Sequence, residues 1–237
     1  MKLGKEFVIN FDFISIHPEF IASYLNFGVM GQAREKGICD YTLVNLRDYG
    51  VDSHGSVDGA PYGGGDGMVM RCEPLVAALE KSCRRGAKVV YTSPGGERWS
   101  QHKAASFAQQ GDDLIFVSGR FGGIDERFIE NYVDFNICLG DFVISGGELA
   151  SLTIADSIVR LMPGVLGNHK SSELDSFCNG YDGMLEEPLY TRPAEFQGES
   201  VPKVLLSGNH SEIEKWRLEQ RQSRTANLRP DLLPLKS

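Results

Sequence analysis

Apolar and polar positions change their period repeatedly along the chain, and each change marks an element. Residues 7–14 carry the β-branched and aromatic density of a strand, and His17-Pro18 then opens a stretch with Phe20, Ile21, Tyr24 and Leu25 at helical spacing. Residues 38–46 read as the next strand, 73–84 as a short amphipathic helix, 87–92 as a strand and 101–110 as a helix. A buried strand over 114–118, a helix over 124–132 and a strand over 135–139 follow. Leu149, Leu152, Ala155, Ile158 and Val159 have helical period, and a last helix is expected over 211–224. Strands alternating with helices predict an α/β fold, a mostly parallel sheet with helices on both faces and ligands at the carboxyl ends of the strands.

Three glycine-bearing turns, at 94–96, 119–123 and 140–147, fall at those strand ends. The richest lies in Cys138-Leu-Gly-Asp-Phe-Val-Ile-Ser-Gly-Gly-Glu-Leu149, where Ser145 and Glu148 have the spacing of a capping box. Ser145 is then the expected N-cap, with Gly146 and Gly147 in the first turn. Glycines are poor helix formers, but they leave backbone N–H groups uncovered and let another molecule approach the main chain. A tight turn without a ligand explains one such pair equally well; three turns on one sheet edge point to a ligand site without naming the ligand.

The other glycine patterns exclude more than they assign. Gly119-x-x-Gly-Gly lacks the Gly-x-Gly-x-x-Gly order and the acidic residue of a dinucleotide fold, which argues against a Rossmann dehydrogenase or Rossmann methyltransferase. Pro61-Tyr-Gly-Gly-Gly-Asp-Gly-Met68 ends a long polar loop, but no Lys-Ser/Thr follows and no helix opens directly, so it reads as a flexible connection. In Gly164 to Ser171, His169 stands where a phosphate loop needs its second glycine.

With 237 residues, 41% hydrophobic and 24% charged, the chain can bury one large core or two unequal ones. No apolar run approaches the roughly 18 residues of a membrane span, and the first residues lack the order of a signal peptide, so a cytosolic location is expected. Five scattered cysteines without zinc spacing imply reduced, mostly buried thiols. The net charge of -8 argues against nucleic-acid binding by the surface as a whole. From Lys203 onward, however, cations outnumber acids, and Arg217, Arg221 and Arg224 share one helical face, a pattern whose ordinary meaning is a solvated surface. Pro and Gly punctuation after Leu161 suggests a linker, giving domains at 1–165 and 177–237 joined by 166–176.

Taken in order, Pro61 to Met68, Tyr91-Thr-Ser-Pro94, Gly119-Arg-Phe-Gly-Gly-Ile-Asp-Glu-Arg127, Leu139 to Leu149, Asp156-Ser-Ile-Val-Arg160, Tyr190-Thr-Arg-Pro193 and Val204 to His210 resemble the bacterial tRNA (guanine-N1)-methyltransferases of the TrmD type, in the SPOUT class. The resemblance spans nearly the whole chain. It implies a trefoil knot at the C-terminal end of the catalytic domain, which chain-threading rules would not predict, and a homodimer whose active site is shared between subunits. S-adenosyl-L-methionine would be cradled by Tyr91, Pro94, Gly119, Leu139, Gly140, Asp141, Phe142, Val143, Ile144, Gly146 and Gly147. The resemblance also brings in Mg2+, at a site the sequence does not assign. A small, mainly helical C-terminal domain would bind tRNA, with Arg192, Arg217, Arg221 and Arg224 as the RNA-binding residues.

The family methylates N1 of the guanine on the 3′ side of the anticodon. That nitrogen carries a proton, which Asp175 would accept as general base, while Arg160 would stabilise charge growing on the guanine carbonyl. By residue chemistry alone, Arg160 would be an i−4 partner of Asp156 and Asp175 a cap or linker residue. Three positions depart from the family pattern: Gly122 replaces an acidic residue, Phe121 a tyrosine and Asp66 a proline. The first leaves no carboxylate at 122 for the cofactor's methionine end or for magnesium. Two other readings compete with the enzyme: an RNA-binding protein of this fold without turnover, and a SPOUT methyltransferase acting on another RNA, which should lack the Asp175 and Arg160 pair and the basic C-terminal domain.

Overall fold

A computed structural model describes residues 8–82, 86–167 and 174–233. They form two compact units, residues 1–167 and 168–237.

The first unit runs β1 (Ile9–Ser15), α1 (Pro18–Leu25), α2 (Gly28–Glu35), β2 (Cys39–Asn45), β3 (Asp58–Gly59), β4 (Val69–Met70), α3 (Cys72–Ser82), β5 (Lys88–Arg98), α4 (Gln101–Gln110), β6 (Leu114–Val117), α5 (Glu126–Tyr132), β7 (Phe135–Cys138) and α6 (Glu148–Val159). Five strands make one sheet in the order β2-β1-β6-β5-β7, every pair parallel. Alternation along each strand sends side chains to opposite faces, and a core forms on each. Phe11, Phe13, Val90, Leu114 and Phe116 pack with α1, α2 and α6 on one side, while Ile14, Val89, Tyr91, Ile115 and Val117 pack with α3 and α5 on the other. Phe13 and Phe116 stack at 5.2 Å in the middle of the first core. The expected parallel sheet with helices on both faces is therefore present.

Three local features differ from the sequence reading. Helix α2 was not legible, because Gly28 and Gly31 dilute a pattern that buries only Met30 and Ala33. The polar loop before Met68 is not one open connection: Leu46–Tyr49 is a 3-10 turn, Val51 bridges Ser56, and β3 pairs with β4 to close the glycine segment at its base. Finally, β5 does not end at Thr92. Thr92 and Glu97 both lie opposite Ile137 on β7, so Ser93-Pro-Gly-Gly96 loops out and the strand resumes to Arg98. A Cβ on Gly96 would come within 2.5 Å of the Ile137 backbone, so only glycine lets the excursion fold back onto β7.

The second unit contains the hairpin β8 (Glu195–Phe196) and β9 (Glu199–Ser200), then α7 (Lys203–Leu206) and α8 (His210–Leu228). The hairpin was missed, although its Gln197-Gly198 turn, with φ of 53° and 86°, is the signal for one. Helix α8 is longer than expected at both ends; at its start the Asn209 side chain caps it, accepting from the Glu212 N–H at 3.4 Å. No helix among the described residues is long and apolar enough to cross a membrane. Cys39, Cys138 and Cys178 are buried, and burial pushes the Cys39 thiol up to about 11; Cys83 lies outside the described residues.

Candidate active site

The neighbouring strands β6, β5 and β7 deliver their carboxyl ends to one place. The excursion at 93–96, the turn at 119–123 and the arch at 139–147 line a single cleft of about 690 Å³, well within the range of small-molecule sites. Each wall is fixed by side chains. Ser93 Oγ donates to Asn136 Oδ1 at 2.8 Å, tying the excursion to β7. The Trp99 N–H bonds the Cys138 carbonyl at 2.8 Å as β5 resumes, and the Gly147 N–H bonds the Gly119 carbonyl at 2.8 Å, joining the arch to the middle turn.

The capping-box reading of Ser145 and Glu148 is corrected. Helix α6 begins at Glu148 with Gly147 as N-cap, and no side chain caps it. Glu148 turns inward instead and is 2% exposed. Its Oε1 accepts from Ser15 Oγ at 2.8 Å, and both of its oxygens accept from Arg120 Nε, at 3.1 and 3.0 Å. Arg120 Nη1 also donates to the Ser145 carbonyl at 3.3 Å. This chain binds β1, the 119–123 turn and the arch into one piece, and removing one partner would leave a charge poorly solvated. The glycines have a matching role. A Cβ on Gly147 would lie 2.9 Å from both the Gly119 nitrogen and Ser118 Cα, and one on Gly146 would run into Arg120 and Glu148. Their bareness serves the packing of two turns, and the N–H of Gly147 is used within the protein.

Of the residues expected to cradle a cofactor, Tyr91, Pro94, Gly119, Leu139, Gly140, Phe142, Val143, Ile144, Gly146 and Gly147 all line the cleft. Asp141 does not; its side chain is largely exposed and lies 3.7 Å from Arg98. Tyr91 is buried, and that burial pushes its phenol up, with a smaller upward contribution from Glu126. A Cβ on Gly119 would meet the Tyr91 ring at 2.9 Å, so the turn can pass over the ring only as glycine. Arg120, Glu126 and Asn136 also line the cleft and were not foreseen. Arg120 and Glu126 sit inside a glycine-rich motif that gives no separate signal for them, and Asn136 is an ordinary polar position on a short strand.

Arg160 closes α6 as its C-cap residue, its N–H bonding the Asp156 carbonyl at 3.0 Å. The Asp156 side chain accepts from Tyr24 at 3.1 Å. Asp175 belongs to the second unit, where its Oδ1 accepts from the Ser176 N–H at 2.9 Å; most of the expected linker, residues 168–173, lies outside the described residues. Beside it, Glu186 is pushed up by burial first and by the charge of Asp175 second.

The arginine stripe divides. Arg221 is buried, donates to Glu187 Oε2 at 2.7 Å and lies 4.3 Å over the Tyr181 ring; Arg217 reaches the other Glu187 oxygen at 3.2 Å and Glu214 at 2.7 Å. The face they share packs against residues of its own unit, so the reading of Arg221 as an exposed RNA contact does not fit its burial. Arg224 is exposed and lines a shallow hollow with Ser176, Leu185 and Glu186. Arg192 is also exposed, next to a cis Arg192-Pro193 peptide.

The implied groups can be weighed against these residues. The cleft's size, its bare glycines and its mix of apolar and polar walls fit an adenosylated amino acid. For Mg2+ the described residues name no site: no group of three or more His, Cys, Asp or Glu side chains able to hold a metal occurs among them.

The chain is 48% identical over 227 residues to a tRNA (guanine-N(1)-)-methyltransferase of Geobacter sulfurreducens, covering 95% of this chain and 91% of the relative. It is 48% identical over 223 residues to the same enzyme of Pseudoalteromonas translucida, covering 93% and 86%, and 46% identical over 225 residues to that of Bacillus cereus, covering 94% and 91%. Residues 9–235 match the family model of tRNA (Guanine-1)-methyltransferase TrmD, and this chain belongs to that family of methyltransferases.

Proposed function

We propose that this protein transfers a methyl group from S-adenosyl-L-methionine to N1 of the guanine on the 3′ side of a tRNA anticodon. The observation that carries the proposal is the single cleft built by three glycine turns at adjacent strand ends in a chain of this family. S-adenosylmethionine supplies an electrophilic methyl group when bound. The protein's own residues must position the guanine and handle its proton. Asp175 accepts the N1 proton, and Arg160 stabilises the negative charge that spreads onto the guanine carbonyl as the proton leaves.

The family assignment supports a knotted first unit. Exposed apolar side chains support a homodimer: α1 leaves Phe20 and Tyr24 open beside α6, Phe27 is open between α1 and α2, and Leu149 on α6 is open too. The site is then shared, with Asp175 of one subunit serving the cofactor held by the other. A linker between the units lets Asp175 arrive only when RNA is engaged, so chemistry waits for the correct substrate. With tRNA as its substrate, the protein works in the cytoplasm.

The direct test is methylation of in vitro tRNA transcripts with the target guanine present or replaced. Transfer confined to the first supports the proposal; binding without transfer favours an RNA-binding protein, and transfer to ribosomal RNA alone favours another SPOUT activity. A second expectation concerns RNA contact. Replacing Arg192 and Arg224 together by Ala should weaken tRNA binding and reduce the salt slope by about 2, with cofactor affinity unchanged. Arg221→Ala should act differently, lowering stability by about 1–3 kcal/mol because it leaves one oxygen of the buried Glu187 unpaired while Arg217 holds the other. Thermal unfolding and salt-dependent binding, measured on the same variants, separate the two effects.

A further inference from the structure

The cleft assigned above to S-adenosylmethionine has two charged side chains among its described lining residues, Arg120 and Glu126. They differ in whether the protein has already answered their charge. Arg120 donates to both oxygens of Glu148 and to the Ser145 carbonyl. Glu126 makes no hydrogen bond or ion pair with another described residue. The cation nearest in sequence, Arg127, is committed to Asp125: its Nε and Nη2 donate to the two carboxylate oxygens at 2.9 and 2.7 Å. Glu126 is exposed at the start of α5, and Gly122, on the same wall, adds no side chain.

Glu126 lines the same cleft as Tyr91, and its charge adds to the upward push that burial gives the Tyr91 phenol. An unanswered carboxylate in a cleft repels anions and favours a cationic ligand group. S-adenosylmethionine carries two positive groups, a sulfonium and an α-ammonium, and only the ammonium has hydrogens to donate. We propose that Glu126 anchors the α-ammonium group of the cofactor, and so gives the cleft its preference for an amino-acid-bearing adenosyl ligand over a neutral nucleoside. The proposal rests on the assignment of this cleft to S-adenosylmethionine.

Three ligands divide the charges. S-adenosylmethionine has both cationic groups, S-adenosylhomocysteine keeps only the ammonium, and 5′-methylthioadenosine has neither. Their affinities for the full-length wild type, Glu126→Gln and Glu126→Asp are to be measured by calorimetry, with melting temperature as a folding check. Glu126→Gln should weaken the first two ligands by about tenfold, as loss of a charge-assisted hydrogen bond does, and leave methylthioadenosine within about twofold. Glu126→Asp should recover part of the loss. Equal loss for all three ligands, no loss for any, or loss confined to S-adenosylmethionine overturns the proposal. A wild type that binds none of the three removes the cofactor assignment itself, whereas a binding wild type with an insensitive Gln variant removes only the role of Glu126.

Discussion

Replacing Asp175 by Asn is expected to slow single-turnover methyl transfer by about 10²–10⁴-fold, with little change in cofactor or tRNA affinity. The amide keeps the size of the side chain, and its oxygen can still accept the Ser176 N–H that Oδ1 now holds at 2.9 Å, so the local turn survives. What it loses is the ability to take the N1 proton. A carboxylate is a weak base for this task, and in the proposed mechanism Arg160 compensates: by stabilising charge on the carbonyl it would make the guanine proton easier to lose. The substitution also has a local signature. Glu186 is pushed up partly by the charge of Asp175, so removing that charge should let the Glu186 carboxyl titrate at lower pH. Rapid-quench kinetics with separately measured affinities decide the main point, and near-wild-type turnover by the variant would falsify the general-base role. Mixed dimers pairing Asp175→Asn with a chain disabled in its cofactor cleft should regain activity, since each dimer then holds one sound cleft and one sound base. Verified mixed dimers that stay inactive exclude the shared site.

The sheet is legible because its central strands β1 and β6 are buried on both faces and read as dense apolar runs between turn signals. The cleft was legible for a related reason: a parallel sheet sends its glycine turns to one edge, and three of them lie on neighbouring strands. Other parts were hidden by long-range pairing. Ser145 and Glu148 have local capping spacing, but Glu148 finds better partners in Ser15 and Arg120, at sequence separations of 133 and 28 that no local rule examines. The stripe Arg217, Arg221, Arg224 has the same fault. Helical spacing showed that the three share a face, but Glu187, which turns that face inward, lies 34 residues before Arg221. The resumption of β5 past its glycines depends on β7, whose backbone holds both Thr92 and Glu97 opposite one residue. Asp175 and Arg160 carry no local signal of chemistry, and the roles proposed for them rest on the family resemblance alone.

Gly147→Ala and Gly140→Val should both abolish the thermal stabilisation that S-adenosylmethionine or its demethylated product confers, but for different reasons. Gly147 has φ and ψ of -76° and -9°, which any residue adopts, so backbone strain is not at issue. The obstacle is contact: its Cβ would press on Gly119 and Ser118 at 2.9 Å and on Thr92 Oγ1 at 3.1 Å. Two of these are main-chain atoms of the turn after β6, which cannot rotate away. The arch must separate from the turn, the hydrogen bond from Gly147 to Gly119 stretches, and overpacking of this kind costs about 1–3 kcal/mol. The unliganded melting temperature should therefore fall along with the ligand response. At Gly140 a Cβ would meet only the Phe142 ring, at 2.8 Å, and that ring is 59% exposed and free to turn outward. Gly140→Val should then melt like the wild type without ligand, yet its branched side chain fills cleft space. Ligand at 100 times its dissociation constant stabilises a native state by about 2.7 kcal/mol, a shift readily seen in the wild type and absent from both variants. A ligand response retained in Gly140→Val removes Gly140 from the site, and an unshifted melting temperature in Gly147→Ala shows that the contact between the two turns is slack.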